Sequence, residues 1–469
     1  MRKTKIICTL GPATNTYDVL KEMVNAGMNV VRFNMAHGNY DDCQKTMDIV
    51  KKVRDELKVP LAIMIDIKGP EVRTGQVDNP IMVKKGDKII FTGENIKAHD
   101  NIVPINYSDI ANDVFVGGHI LLNDGILDCE INKIENGLIY CEVKNNGTIG
   151  NHKNMHFPGV HINLPFIREK DINDMNFAIK NDVEYIACSF VSRGSEVAQV
   201  REYLDNNNGS SISLIAKIEN KEGIDNLDEI MNFVDGVMVA RGDLGVEIPI
   251  EKIPTIQKNM IKKVHLAGKR VITATEMLES MTHNPRPTRA EVSDVANAVY
   301  DGTSCVMLSG ETSVGDYPIE VVKTMARICK DTEANIDYKA NFKNINFSIT
   351  NIADALSHSS VNAAFDLNAA SIVVCTKTGK TAMMVSRFRP SMPIIGLVTD
   401  TKAYHQLAMS WDVFPYLMDE YYSTEELSIR AIDKAKTMSY VKKNDILIVV
   451  AGIARQIDGT NLMRIEKVR

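Results

Sequence analysis

The chain has 469 residues, 44% apolar and 24% charged, and its 54 basic against 60 acidic side chains leave a formal charge of −6. Those proportions exclude a mainly disordered or fibrous chain, and at about 150 residues per domain the length suits two to four domains. The near-balance of charge offers no electrostatic footprint for nucleic acid or an anionic membrane, and no apolar run reaches the length of a membrane span. The opening Met1-Arg-Lys-Thr-Lys leads into Ile6–Leu10, a run too short for a signal-peptide core. The eight cysteines contain no CxxC pair, so buried thiols acting as small hydrophobes are expected, and with them a reduced, cytoplasmic, multidomain enzyme. The 23 Met against a single Trp are the opposite of an aromatic-rich recognition surface and suit core packing.

In chain order, short apolar runs alternate with amphipathic segments. Strands are predicted at Lys5–Leu10, Asn29–Asn34 and Leu61–Ile67. A helix is predicted over Tyr40–Leu57, with Met47, Val50, Val53 and Leu57 at three- and four-residue steps. From about Val72 to Pro165 the pattern turns to Gly, Asn and Asp around short β-type runs (Lys88–Thr92, Gly118–Leu122, Leu138–Val143), which predicts a small all-β insertion. The alternation then resumes with strands at Glu184–Phe190, Ser213–Glu219, Gly236–Arg241, Val271–Thr275 and Cys305–Ser309. Before the last of these, Thr288 and Glu291 have capping-box spacing for a helix over Arg289–Tyr300 that stops at Gly302. Eight strands buried on both faces and separated by helices predict a closed (β/α)8 barrel from residues 1–71 and 166–344, with the β-insertion over 72–165. The remaining 345–469 carry a helix at Ile352–Phe365 and strands at Ser371–Cys375, Ile394–Val398 and Asp445–Gly452, which predict an α/β domain with an open sheet.

In such a barrel the chemistry sits at the C-terminal strand ends, and side chains two apart share a face. Strand two ends Arg32-Phe-Asn34, strand three Asp66-Ile-Lys68 and strand five Lys217-Ile-Glu219. Strand six runs into Arg241-Gly-Asp243, strand seven ends at Thr275 and strand eight at Ser309-Gly-Glu311. As plain rim salt bridges, each of these pairs would need its own compensation for lost solvation. Glu219 and Asp243 suit a Mg²⁺ that takes one or two protein carboxylates and fills its shell with water and substrate oxygens. Arg32, Lys217 and Arg73 supply positive charge around it, the surrounding that a phosphoryl group needs. Histidine is sparse at these ends, with only His37 close by, which argues against a zinc hydrolase.

Segments spread along the whole chain resemble the pyruvate kinase family: Lys5–Pro12, Val31–Gly38, Asp66–Gly75, Ile215–Asn220, Val239–Glu247, Ile272–Met281, Asn284–Val299 and Cys305–Thr312. The resemblance implies a phosphotransferase that moves the phosphoryl group of phosphoenolpyruvate to ADP, giving pyruvate and ATP. It implies that Lys217, Arg32 and Thr275 are catalytic, and that Arg32, Gly242, Asp243, Thr275, Ser309 and Glu311 surround phosphoenolpyruvate. Glu219 and Asp243 would hold Mg²⁺ or Mn²⁺. Asn34, His37, Arg73, Asp124, Lys153 and Arg193 would serve the nucleotide, Asp124 and Lys153 arriving when the inserted domain closes and excludes water. A potassium site would use Asn34, Asp66 and Ile67, weakened because Ala36 stands where the family has Ser; Glu71 keeps the charge that accompanies potassium dependence. Ile67 replaces a Thr, tolerable where only its carbonyl binds, and Arg193 replaces a Lys, which keeps charge without guaranteeing geometry.

The segment Thr376-Lys-Thr-Gly-Lys-Thr381 follows a strand and opens a helix, but Val374 stands where a Walker A motif needs Gly. By resemblance Thr376, Lys377, Thr378, Gly379, Lys380 and Thr381 form an effector-phosphate loop; a plain capping turn is the other reading. The resemblance further implies a homotetramer and a phosphorylated small-molecule effector, with no nucleic-acid or membrane partner. The length leaves almost nothing for a further C-terminal module. Two other readings stay open on the sequence: a metal-dependent aldolase or lyase acting on pyruvate enolate, and a catalytically dead barrel kept as a scaffold. The first would not require the insertion or Lys217 beside the metal, and the intact Lys217, Glu219, Asp243 and Thr275 set opposes the second.

Overall fold

The computed structural model describes residues 1–36, 39–419, 423–438, 440–452 and 460–469. Eight parallel strands close a barrel: Lys5–Thr9, Val30–Asn34, Ala62–Ile67, Tyr185–Cys188, Ser213–Ile218, Gly236–Ala240, Arg270–Ala274 and Cys305–Leu308, each paired with its chain neighbours and the last with the first. All eight fall within one or two residues of the runs expected from their apolar character. Several strands stop one or two residues before the polar residue assigned to their end. Glu219, Thr275 and Ser309 sit just past the last paired residue, and Asp243 lies in the first turn of a short helix, Arg241–Glu247.

Inside the barrel, Ile7, Met64, Tyr185, Met238 and Met307 pack together, and Ala408 and Met409 from the C-terminal unit close the floor. The outward faces of the strands meet the helices. Tyr40–Leu57 buries Met47, Val50 and Val53 completely, each worth about 1.5–3 kcal/mol relative to exposure. Asn39 caps this helix by accepting from the Asp41 amide at 2.9 Å. The capping box on Arg289–Tyr300 is reciprocal: the Glu291 amide donates to Thr288 Oγ1 at 3.2 Å, and the Thr288 amide donates to Glu291 Oε2 at 2.7 Å.

Between the third and fourth barrel strands the chain builds a curled, barrel-like six-stranded sheet with its own core around Phe91, Ile120, Cys141 and Phe157. Lys88–Thr92 and Leu138–Val143 form as read, and Gly118–Leu122 shortens to His119–Leu122. Leu127–Glu135, Ile102–Pro104 and Met155–His156 join them, and a ribbon pairs Ile81–Val83 with Gly147–Ile149. The C-terminal unit holds a five-stranded sheet whose edges are strands not expected from the sequence. Val413–Leu417 carries Pro415, which an edge tolerates, and half-exposed Leu462–Lys467 runs antiparallel to Ile446–Ala451.

All eight cysteines are free, seven buried and Cys43 partly so. Burial pushes thiols such as that of Cys305 up to about 12, which leaves them inert and hydrophobic. Most methionines are buried, so the Met-rich composition is core material. Among the described residues, no helix is long and apolar enough to cross a membrane.

Candidate active site

The second, third and fifth barrel strands bring Arg32, Asp66, Lys217 and Glu219 into one buried network. Pairing sets Asn34 abreast of Asp66 and Arg32 abreast of Met64, so the polar residues of the two strands share one end of the barrel. Arg32 Nε donates to Asp66 Oδ2 at 2.8 Å with Nη2 on the same oxygen, while Nη1 donates to Thr9 Oγ1 at 3.0 Å. Lys217 Nζ lies 2.9 Å from Glu219 Oε1 and 3.4 Å from Asp66 Oδ1, and donates to Ser189 Oγ at 2.8 Å. The Phe190 amide donates to Glu219 Oε2 at 2.6 Å.

The charges hold one another in place. Burial alone would raise the Asp66 carboxyl, yet Arg32 and Lys217 outweigh it and keep Asp66 below the usual carboxylate range. Burial alone would also lower the Lys217 ammonium, and Asp66 and Glu219 hold it above the ordinary lysine value. Lys217 is therefore a permanent cation. Glu219 goes the other way: burial pushes its carboxyl up, Lys217 opposes that, and the charge of Asp243 adds repulsion. Two carboxylates that repel each other, only one of them paired with an ammonium, form a donor set that a divalent cation would relieve. The chemistry of that set fits Mg²⁺ or Mn²⁺, which would take the two carboxylates and fill its shell with water and substrate oxygens. Among the described residues, no group of three or more His, Cys, Asp or Glu offers a fuller cage.

On the far side, Thr275 sits at φ 73° and Glu276 at φ 54°, a left-handed conformation rare for a β-branched residue. The Arg241 guanidinium clamps this strained segment, donating to the Thr275 carbonyl at 2.6 Å and the Ala274 carbonyl at 3.1 Å, with Asp294 Oδ1 at 2.7 Å behind it. Gly242 passes so close beneath that a Cβ there would stand 2.9 Å from Thr275 Cγ2. Glu311 is fully buried and accepts from the Leu278 and Ser309 amides at 3.0 and 2.6 Å; burial pushes its carboxyl up. Glu311 thus ties the end of strand eight to the segment after strand seven.

Of the residues expected to serve a potassium ion, Asn34 Oδ1 accepts from the Ala36 amide at 3.1 Å, and the Ile67 carbonyl accepts from Ser189 Oγ at 2.9 Å. Glu71 is held below the usual carboxylate range by Arg73 and Lys68, which outweigh its burial. Arg73 stands where the chain enters the inserted unit, with Nε 2.7 Å from Glu71 Oε2 and Nη1 3.0 Å from the His152 carbonyl. Asp124 and Lys153 are exposed on the inserted unit, Asp124 within a turn that has positive φ at Asn123, Asp124 and Gly125. His37 lies outside the described residues. Arg193 is half-exposed, and its ion pair runs to Glu222 at 2.6 Å, away from the Lys217 network. The Thr376–Thr381 loop is largely exposed, with the Gly379 amide on Thr376 Oγ1 at 3.1 Å and Thr381 Oγ1 2.6 Å from Thr460 Oγ1.

Two residues escaped the sequence reading, and so did the role of a third. Ser189 bridges Lys217 to the third strand, its Oγ accepting from Lys217 and lying within reach of both the Ile67 carbonyl and Asp66 Oδ1, but one hydroxyl after an apolar strand is no signal. Arg241 was visible at a strand end, yet its clamp on Thr275 is a matter of tertiary placement. His156 lies within the insertion, far in sequence from the carboxylates it faces. Beside it a cavity of about 330 Å³ opens between the hinge segments and the loops after strands four and five, with Glu71, Phe190, Asn220, Glu222 and Glu247 on its walls.

A parallel barrel with a β-unit inserted after its third strand, and a lysine, an arginine and carboxylates gathered at one end, has the make-up of a barrel phosphotransferase. The family "pyruvate kinase, barrel domain" matches residues 1–322, and "pyruvate kinase, alpha/beta domain" matches 354–466. The chain is 43% identical to a pyruvate kinase of Clostridium acetobutylicum and 42% identical to one of Clostridium perfringens, in both cases over 100% of each chain. A solved pyruvate kinase from Cryptosporidium parvum superposes with TM-score 0.95 at 39% identity, over 100% of this chain and 96% of that one. The chain belongs to the pyruvate kinase family.

Proposed function

We propose the following division of labour for the family's reaction, transfer of the phosphoryl group of phosphoenolpyruvate to ADP. The observation that carries it is the Lys217–Glu219–Asp66–Arg32 network, which presents a permanent cation beside carboxylates at a buried strand end. Phosphoenolpyruvate binds at the mouth of the barrel, its carboxylate against the backbone of Gly242 and Asp243 and its phosphate against Arg32 and Arg73. Glu219 and Asp243 hold the divalent ion. When bound, that ion supplies positive charge to the oxygens of the substrate. Lys217 stabilises charge on the phosphoryl group as its bond to the enolate oxygen breaks and a bond to the terminal phosphate of ADP forms.

The enolate left behind takes a proton at carbon in the pocket that Thr275 faces, with Ser309 and Glu311 fixing its polar wall. Asn34, His37, Arg73, Asp124, Lys153 and Arg193 belong to the nucleotide side. Closure of the inserted unit excludes water, which would otherwise accept the phosphoryl group. Asn34, Asp66 and the Ile67 carbonyl would hold K⁺, and the Thr376–Thr381 loop receives the phosphate of an effector. The enzyme works in the cytoplasm as a homotetramer.

A coupled pyruvate assay with and without ADP tests the reading. Pyruvate formation from phosphoenolpyruvate that depends on both ADP and a divalent ion supports it. ADP-independent cleavage would return the chain to the aldolase or lyase class.

A further inference from the structure

His156 ends the two-residue strand Met155–His156 of the inserted unit and is 4% exposed. Its ring reaches across to helix Arg241–Glu247 of the barrel, with Nδ1 3.5 Å from Glu247 Oε1 and Nε2 3.9 Å from Asp243 Oδ1. Those two carboxylates are four residues apart, hence on one face of the helix. Among the described residues Nε2 has no hydrogen-bond partner, an unusual state for a buried polar atom. The inserted unit meets this helix a second time at Gly125, where a Cβ would stand 3.3 Å from Val246 Cγ1.

Resting on the assignment of Asp243 as a divalent-ion ligand, we propose that His156 is a positioning residue carried in by the inserted unit. Its Nε2–H takes one oxygen of Asp243 and leaves the other for the ion, so that docking of the unit and completion of the ion site are one event. The side chain of Asp243 is 33% exposed and accepts no other hydrogen bond from a described side chain that would fix its rotation. Ligating carboxylates are held by such outer partners, whose loss lowers ion affinity about 10–100-fold. Glu247 Oε1 stands 3.5 Å from Nδ1, on the other side of the ring from Asp243. The present 3.9 Å exceeds a hydrogen bond, and contacts of this kind tighten when the closed complex forms.

The test is direct titration of the folded protein with Mn²⁺, without turnover, for the wild type, H156Q, H156N and D243N. A Gln amide nitrogen falls near the place of Nε2, an Asn amide nitrogen near that of Nδ1. H156N is expected to bind Mn²⁺ about tenfold more weakly and H156Q within about threefold of wild type, with D243N weaker than either. In the assay, H156N should raise the Mn²⁺ needed for half-activation while kcat at saturating ion stays near wild type. Wild-type binding by H156N, or equal losses in H156N and H156Q, overturns the role of His156 and leaves Asp243 a ligand if D243N still loses affinity. Wild-type binding by D243N overturns the ligand assignment itself and this inference with it.

Discussion

Thr275, at φ 73°, lies directly over Gly242, and a methyl group on Gly242 would come within 2.9 Å of its Cγ2. The strain at Thr275 persists because the Arg241 guanidinium grips its carbonyl at 2.6 Å and glycine beneath leaves the room. Gly242→Ala is therefore expected to displace Thr275 while the barrel still folds. A shift approaching 1 Å at a reacting centre lowers kcat/KM for phosphoenolpyruvate by about 10²-fold. Wild-type kinetics in this variant would show that the position of Thr275 does not matter.

Lys217→Met removes the one ammonium that faces both Asp66 and Glu219, at 3.4 and 2.9 Å. A fall in kcat on the order of 10³-fold or more is expected, with secondary structure retained by circular dichroism. A variant with near-normal kcat would remove Lys217 from the charge-stabilising role.

Ala36 donates its amide to Asn34 and brings no hydroxyl to the expected cation site. Activity should depend on K⁺, and Ala36→Ser should lower the K⁺ concentration for half-activation by about fivefold, the worth of one added oxygen ligand. Equal activity with and without K⁺ in both proteins would make the site vestigial.

The double variant Thr378→Ala, Lys380→Ala alters two exposed side chains, one in the loop after strand Ser371–Thr376 and one at the start of helix Lys380–Ser386. Basal activity should be unchanged and activation by a panel of AMP and sugar phosphates lost. Full activation in the double variant would leave the loop a capping turn.

Burial lowers His265 to about 3, with Arg389 adding to the effect, and its Nε2 sits 2.7 Å from the Arg387 carbonyl at the seam between the barrel and the C-terminal unit. In the unfolded chain this imidazole takes up a proton near its ordinary value of about 6.5. The unfolded state thus binds more protons between about 6.5 and about 3, and stability falls as the pH drops through that window. Buried acids such as Asp412, raised to about 7, act in the opposite sense, so the informative quantity is the difference between wild type and His265→Gln. The wild type should lose about 1.4 kcal/mol per pH unit below 6.5 relative to the variant, read from urea midpoints. A pH-independent difference would show that His265 is not held neutral.

How much of this was legible from the residues differs by level. The eight barrel strands, the insertion after the third and the capped helix at Thr288 were legible because buried parallel strands are continuous apolar runs and capping boxes are local. Arg32, Asp66, Lys217, Glu219 and Asp243 were legible because charge at the end of an apolar run is conspicuous. The edge strands Val413–Leu417 and Leu462–Lys467 were not, since half-exposed strands blur the apolar signal. Ser189 and His156 were not, since a hydroxyl and an imidazole acquire meaning only from what faces them.

The sequence by itself determined the barrel, its insertion, the charged strand ends and the family, because each is written in local periodicity or in residues kept in order. Only the tertiary structure decided that Asp66 is shared by Arg32 and Lys217, that Arg193 turns to Glu222, and that Thr275 is strained over Gly242. Those relations join residues from different strands, and their distances follow from how the barrel closes and how the inserted unit seats upon it.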